Sequence, residues 1–410
     1  MLRKSFVRIL LLVLAPLGVL RLTYAQDQEG TPLVFLHVTV INPGSLSVLP
    51  DQAVVVRGKS IAVVASAHNF KTPARTRIVD GTGQFLIPGL WDMHVHMAFG
   101  DWFPGGRNVI LPLFIANGVT GVRDMGGDLR VLLPWREQIE SGKIVGPHMV
   151  LAGAMLDGYL PDGKLRFPST VPVVTPADAV AAVDSLKTQH ADFIKVQSLI
   201  SPEAYFAAAA EAHKQGIPFV GHVPDKVRMS ESVTAGQQSI EHLMGIFEGC
   251  STEEDKFVTG QGNTKLLLST QDPQRCNRLM KLLADHHVWQ VPTMVWSRQG
   301  NFLDQLDWNH QPLDKYVPAY WREVTWKRFE DEMMPGITSD PVALRRQAYA
   351  ASLQRMQEMH RAGVRFMAGT DSAPAIYPVS ACTTSSPSLS TLDSRPWKHC
   401  RRQPAIRRNF

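Results

Sequence analysis

Charge of one sign is scarce along most of this chain. Of 410 residues, 42 are Lys or Arg and 37 are Asp or Glu, a formal net charge of +5. Much of that excess sits in WKHCRRQPAIRRNF, from Trp397 to Phe410. The rest is near neutral, which argues against a nucleic-acid partner. Long apolar runs are scarce too. ILLLVLAPLGVL, from Ile9 to Leu20, is the one conspicuous case, and no later segment is apolar enough to span a bilayer. Cysteine is rarer still, with four in all. Cys382 and Cys400 lie near the end, and only Cys250 and Cys276 lie in the body.

The early apolar run has the flanks of a secretory signal. Lys4 and Arg8 precede or enter it, and the small residues Thr23 and Ala25 suit cleavage before Gln26. Residues 1–25 are therefore expected to be removed, leaving a periplasmic or secreted protein with no stable membrane span; a membrane anchor is the alternative, for which the apolar run is short. Export permits a disulfide between Cys250 and Cys276, and two unpaired thiols remain the alternative.

What is present is a globular composition, 44% hydrophobic and 19% charged, enough for a sizeable core. LVFLHVTVIN and QAVVVRGKSIAVVAS read as strands separated by turn residues. They predict a small β-domain over residues 26–87. From Leu90 the pattern changes. LWDMHVHM, VTGVRDMGG, HMVLAG, DFIKVQ, IPFVGHV, SIEHLM, VWQVPTMV and VRFMAGTDS read as eight short strands. Helical stretches such as PADAVAAVDSLKTQ and PEAYFAAAAEAHKQG separate several of them. Eight strands with crossover helices predict an α/β fold, a TIM-like (β/α)8 barrel, over residues 88–378. Ser297 to Ala362 reads as a long, elaborated connection before the last strand.

Chemistry-bearing residues recur at the strand ends, where barrel enzymes place their sites. His94 and His96, two apart on a strand, point the same way. Lys195 sits in ADFIKVQ, His222 in FVGHVP, His242 in SIEHLM and Asp371 in MAGTDS. A buried lysine is costly when charged, so its pKa should fall. A neutral amine can take up carbon dioxide as a carbamate, an anion with two oxygens that can bridge two cations. Imidazoles and carboxylates suit zinc or a similar divalent ion. Each residue alone also has a structural reading: a half-buried strand histidine, a lysine reaching to the strand end, an aspartate capping a turn. Their joint occurrence in one chain order favours the site. Glu241, beside His242, is expected on the opposite face by strand alternation, and His148, His286 and His287 read as structural.

IPGLWDMHVHM, GVTGVRDMGG, ADFIKVQ, GHVP, SIEHL and MAGTDS together resemble the amidohydrolase superfamily, in its branch of imidazolonepropionase-like and prolidase-like metal hydrolases. The resemblance covers roughly Leu33 to Pro378. It implies two divalent metal ions, with His94, His96 and Asp371 on one, His222 and His242 on the other, and carbamylated Lys195 between them. It further implies a metal-bridging hydroxide as nucleophile and Asp371 as the proton carrier. The reaction expected is hydrolysis of an amide or peptide-like bond in a small molecule or short peptide, including dipeptidase or carboxypeptidase forms. An ester, lactone or phosphoester is the alternative bond. Arg123, Tyr159 and Arg166 are candidates to meet a substrate carboxylate, each with a structural alternative. The sequence leaves a homo-oligomer open.

The resemblance stops after Pro378. Residues 379–410 are rich in Ser, Thr and Arg and lack any helical or strand period. Loss of one base near the Pro378 codon would account for this. The shifted frame permits a loop, an amphipathic helix and a second helix ending in Asn-Pro, as the resemblance places there. Such a tail would leave the β-domain incomplete, and the chain could then be a non-catalytic product of a damaged gene. The gene's nucleotide sequence tests this directly.

Overall fold

A computed structural model describes residues 30–305, 314–325, 327, 328, 331 and 339–372. The segment expected to be a signal, residues 1–25, and the tail from residue 379 lie outside the described residues. The chain divides into two compact units, one drawing on the N-terminal residues through Asn42 and on Ser47–Ile87, the other on Pro43–Leu46 and on the residues from Pro88 onward.

The first unit is a five-stranded sheet. Its centre is β1 (Leu33–Asn42), which pairs antiparallel with β2 (Ser47–Arg57). β3 (Ser60–Ser66) extends the sheet antiparallel to β2. β4 (Arg77–Asp80) and the short β5 (Phe85–Leu86) pair parallel with β1. Val34, Val38, Ala53, Val54 and Val55 are buried in it. His37, at φ +58, breaks the alternation of β1, and its Nδ1 lies 2.7 Å from Asp51 Oδ1.

The second unit is mixed α/β with parallel strands. β6 (Leu90–Val95), β7 (Val119–Asp124) and β8 (His148–Leu151) form one parallel sheet in that order. Seven further strands form another: β9 (Met155–Asp157), β10 (Thr170–Pro172), β11 (Ile194–Val196), β12 (Phe219–Gly221), β13 (Ser239–Glu241), β14 (Trp289–Val291) and β15 (Arg365–Phe366). Their spatial order is β10-β9-β11-β12-β13-β14-β15, and every pairing is parallel. β9 and β10 are not among the eight strands read from the sequence.

Backbone hydrogen bonds link the two sheets on both sides. Met93 donates to Ala368 O (2.9 Å), Asp371 to His94 O (2.8 Å) and His96 to Ser372 O (3.0 Å), beside a parallel bridge between Val95 and Ser372. On the other side Asp192 donates to Leu151 O at 2.8 Å.

Local chemistry explains the helices between strands. Pro176–Thr188, Pro202–Lys214 and Pro273–Asp285 each begin with proline after a capping residue, Thr175, Ser201 or Asp272. The cap side chain accepts an N-terminal backbone N–H, and proline has none to leave unsatisfied. The second of these helices turns Ala204, Ala208 and Ala212 inward, and these small residues let it lie close against the core. Cys250, ending the helix Ile246–Cys250, is disulfide-bonded to Cys276. No helix among the described residues is long and apolar enough to cross a membrane.

Candidate metal centre

All six residues singled out in the sequence lie at the C-terminal side of the parallel strands, and the structure brings their side chains into one group. His94 lies on β6 and His96 just beyond it, their ring centroids 5.3 Å apart. His94 is 4.7 Å from His242 between centroids, and His242 is 4.9 Å from His222. Asp371 Oδ1 is 3.3 Å from His94 Nε2 and 3.5 Å from His96 Nε2, and its Oδ2 is 3.9 Å from His242 Nδ1. The ligand atoms of His94, His242 and Asp371 all fall within 4.8 Å of one another.

Each imidazole is anchored through Nδ1. His94 meets Glu241 Oε2 at 2.8 Å, His96 donates to Gly126 O at 3.0 Å, His222 meets Ser198 Oγ at 2.8 Å, and His242 meets Thr293 Oγ1 at 2.7 Å. Anchoring one ring nitrogen fixes the orientation of the other, the usual outer-shell arrangement around metal-binding histidines.

Two buried carboxylates hold the frame. Asp92 Oδ1 accepts from the backbone N–H of Thr370 (3.0 Å) and of His94 (3.2 Å), and its Oδ2 accepts from Thr370 Oγ1 at 2.6 Å. Asp92 thus ties the strand carrying His94 to the turn carrying Asp371. Asp124 accepts from Met97 N (2.7 Å) and Gly126 N (3.1 Å) and so sets the carbonyl that anchors His96.

Glu241 is the principal correction to the sequence reading. Strand alternation places it opposite His242. β13 ends at Glu241, however, and His242 adopts φ +59, a left-handed conformation that restarts the side-chain direction. Both side chains therefore point inward. Glu241 Oε1 accepts from Arg123 Nη2 at 2.8 Å and from Ser239 Oγ at 2.8 Å. Arg123, fully buried, also donates to Met93 O and Ser239 Oγ, so it is an internal strut and not a substrate contact.

Lys195 is fully buried on β11, and among the described residues its Nζ has no hydrogen-bond partner. Burial lowers its pKa to about 8, against the pull of Glu241 and Asp371. Its stem has room because residue 221 is glycine, at φ +133. A Cβ there would stand 2.3 Å from Val196 O and 3.0 Å from Lys195 Cδ. Burial also pushes His94, His222 and His242 down, towards the neutral imidazoles a metal requires. Burial of Asp371 would raise its pKa, but His94, His242 and His96 outweigh it and hold the carboxyl below its ordinary range. His96 is shifted the other way: Asp371 overcomes the burial penalty.

The donor chemistry fits divalent ions. Four oriented imidazoles and an ionised carboxylate converge, and a buried amine without a partner stands among them, an arrangement costly to leave unmatched. His148, His286 and His287 are exposed and stand apart from this group.

The amidohydrolase family model matches residues 85–393, and the chain belongs to that family. It is 26% identical over 276 residues to ochratoxinase of Aspergillus niger, covering 54% of this chain and 56% of that protein. It is 24% identical over 261 residues to adenine deaminase 3 of Rhizobium meliloti, covering 59% of this chain and 40% of that protein. The chain thus spans about half the length of the curated relatives it matches. Among solved structures, a Xaa-Pro dipeptidase with bound methionine superposes with a TM-score of 0.63 at 17% identity, covering 91% of this chain and 87% of that one. The ochratoxinase of A. niger superposes with a TM-score of 0.60 at 18% identity, covering 92% and 83%. These likenesses establish a shared fold.

Proposed function

We propose that this protein is a metal-dependent hydrolase that cleaves an amide or peptide-like C–N bond, on a closed (β/α)8 barrel. Closure is supported by the hydrogen bonds on both sides of the two parallel sheets. The observation that carries the function is Lys195 Nζ, buried among His94, His222, His242 and Asp371 without a hydrogen-bond partner among the described residues. A carbamate formed there by carbon dioxide would supply the missing partner and a bridging anion.

His94, His96 and Asp371 would hold one divalent ion, His222 and His242 the other, with Lys195 between them; zinc suits this donor set. Ions held by these residues would supply an activated water and Lewis-acid polarisation of the scissile carbonyl. Asp371 takes the proton of the attacking water and returns it to the leaving amine. The surrounding imidazoles keep its carboxylate ionised for the first of those tasks. Glu241 and Ser198 hold the His94 and His222 rings, and the buried strands around them exclude bulk water.

Dipeptidase- or carboxypeptidase-type cleavage of a small or short-peptide substrate is the specific form proposed, supported by the likeness to a Xaa-Pro dipeptidase. Metal analysis and a panel of dipeptides and aryl amides test it. Two divalent ions per chain are expected, with hydrolysis abolished in Lys195→Ala and on chelation. Full activity after complete metal removal would overturn the reading. We also propose export with cleavage before Gln26, which N-terminal sequencing of protein from the periplasm or medium checks.

A further inference from the structure

We propose that Thr293 is a positioning residue: it gives up the capping of its own helix and holds a left-handed backbone so that its hydroxyl can fix the His242 imidazole for a metal ion. The inference rests on the metal-centre reading above and adds to it a residue that orients a ligand at a cost to the fold.

Thr293 immediately precedes the helix Met294–Asn301, just beyond the end of β14. It is 1% exposed, so its hydroxyl must find a partner inside the protein. A threonine at the start of a helix ordinarily sits in an extended conformation and accepts a backbone N–H from the first turn. Thr175 does this in the same unit, at φ −113 and ψ 161, taking Asp178 N at 3.2 Å. Thr293 does not. Its φ is +43 and its ψ 49, and it makes no side-chain cap. Its Oγ1 lies instead 2.7 Å from His242 Nδ1. A β-branched residue is a poor choice for left-handed backbone, where Cβ crowds the carbonyl that follows. Glycine occupies that region freely. What threonine supplies there, and glycine cannot, is the hydroxyl on His242.

The two turns are built as a pair. β13 and β14 are parallel neighbours, with Glu241 opposite Val291. His242 and Leu243, which follow β13, are both left-handed at φ +59. His242 N donates to Val291 O at 2.9 Å, so a backbone bond and the side-chain bond to Thr293 grip the same histidine. Backbone held in sparsely populated regions on both sides of one hydrogen bond is strain of the kind that gathers where function requires it. With Nδ1 held by Oγ1, the ring presents Nε2 to an ion.

The test compares Thr293→Ser, Thr293→Ala and Thr293→Gly in the 410-residue chain. Metal affinity should follow the hydroxyl. In competition with a chelator, zinc binding should weaken about 10- to 100-fold in Thr293→Ala and Thr293→Gly and stay near wild type in Thr293→Ser. Stability of the metal-free protein should follow the backbone. Glycine is ordinarily the more destabilising of the two small residues, yet here Thr293→Gly should unfold at a higher urea concentration than Thr293→Ala. Wild-type zinc affinity in Thr293→Ala overturns the proposal, as does a loss in Thr293→Ser equal to that in Thr293→Ala. Greater stability of Thr293→Ala than of Thr293→Gly overturns it too, because the backbone is then not strained. The ring itself gives a readout without metal. In 15N spectra, His242 of the metal-free wild type and of Thr293→Ser should show a protonated, hydrogen-bonded Nδ1, and the other two variants should lose that signature. An unchanged ring spectrum in Thr293→Ala overturns the assignment. If the wild type takes up no zinc, the metal reading fails, while the ring spectra and the order of the glycine and alanine variants still decide the role of Thr293.

Discussion

Glu241 Oε2 lies 2.8 Å from His94 Nδ1, and the other oxygen of the same carboxylate takes a hydrogen bond from Arg123. All three side chains are buried. One carboxylate thus serves two tasks: it balances an internal guanidinium and orients an imidazole of the candidate metal centre. The tasks separate by substitution. Glu241→Ala leaves Arg123 buried without its anion and should cost about 3–5 kcal/mol in urea unfolding. Glu241→Gln keeps the shape and much of the hydrogen bonding but removes the charge behind His94. Its metal affinity should fall about 10- to 100-fold in chelator competition. Wild-type affinity in that variant would reduce Glu241 to a purely internal role.

The six proposed ligands were legible as candidates because each lies in or just after a short apolar strand, and for His94 and His96 period two also fixes where they point. His94 and His96 are the clearest case. What the sequence concealed lies where that period breaks. The left-handed turn at His242 brings Glu241 inward, and no pattern in SIEHLM announces it. Asp371, at φ +58, breaks direction in the same way after β15. Asp92 was hidden differently: two residues before His94, it shares that face, yet its work is to grip Thr370, a partner far along the chain. The long connection before β15 was legible as an insertion only. Its docking is tertiary, with Trp321 Nε1 donating to Pro104 O and Thr325 Oγ1 to Trp102 O.

Gly221 carries a sharper steric demand than most glycines here. Its φ is +133, and a Cβ would sit 2.3 Å from Val196 O and 2.8 Å from Val196 N, backbone atoms that cannot swing aside. Gly221→Ala must displace β11 and Lys195 with it. A loss of about 3 kcal/mol or more is expected, together with reduced metal content. Gly163→Ala is the control. Gly163 also has positive φ, +81, but faces open space, so only the backbone preference is lost, about 1–2 kcal/mol. Equal losses in the two variants would mean that crowding against Val196 is not the cause.

The disulfide between Cys250 and Cys276 closes a loop across a sequence separation of 26. Both cysteines are buried, one ending a short helix and the other in the first turn of Pro273–Asp285. Cross-linking at that separation restricts the unfolded chain, and the double variant Cys250→Ser, Cys276→Ser should lose about 3 kcal/mol. Mass measurement with and without reductant checks the bond itself, and denaturant unfolding checks the loss. Zinc content should be unchanged, because neither cysteine adjoins the proposed ligands.

Lys195 gives the metal-free protein a pH dependence whose sign follows from burial. Its folded pKa is lowered to about 8, below the ordinary value of 10.5. Between those two values the unfolded chain holds a proton on this amine that the folded chain has released. Stability must therefore rise with pH across that window, and the contribution is flat below about 8, where both states are protonated. Lys195→Met removes the ionisable group while keeping an unbranched apolar stem. Urea unfolding of the metal-free wild type and of Lys195→Met between pH 7 and 10.5 isolates the effect, since other groups titrate equally in both. The wild type should gain stability over the variant as pH rises. The same neutral amine is the form that takes up carbon dioxide, so carbamate formation at fixed carbon dioxide pressure should increase through pH 8 and be visible as a labelled carbonyl by 13C NMR. Parallel stability curves for the two proteins, with no carbamate signal, would remove the basis for a bridging lysine.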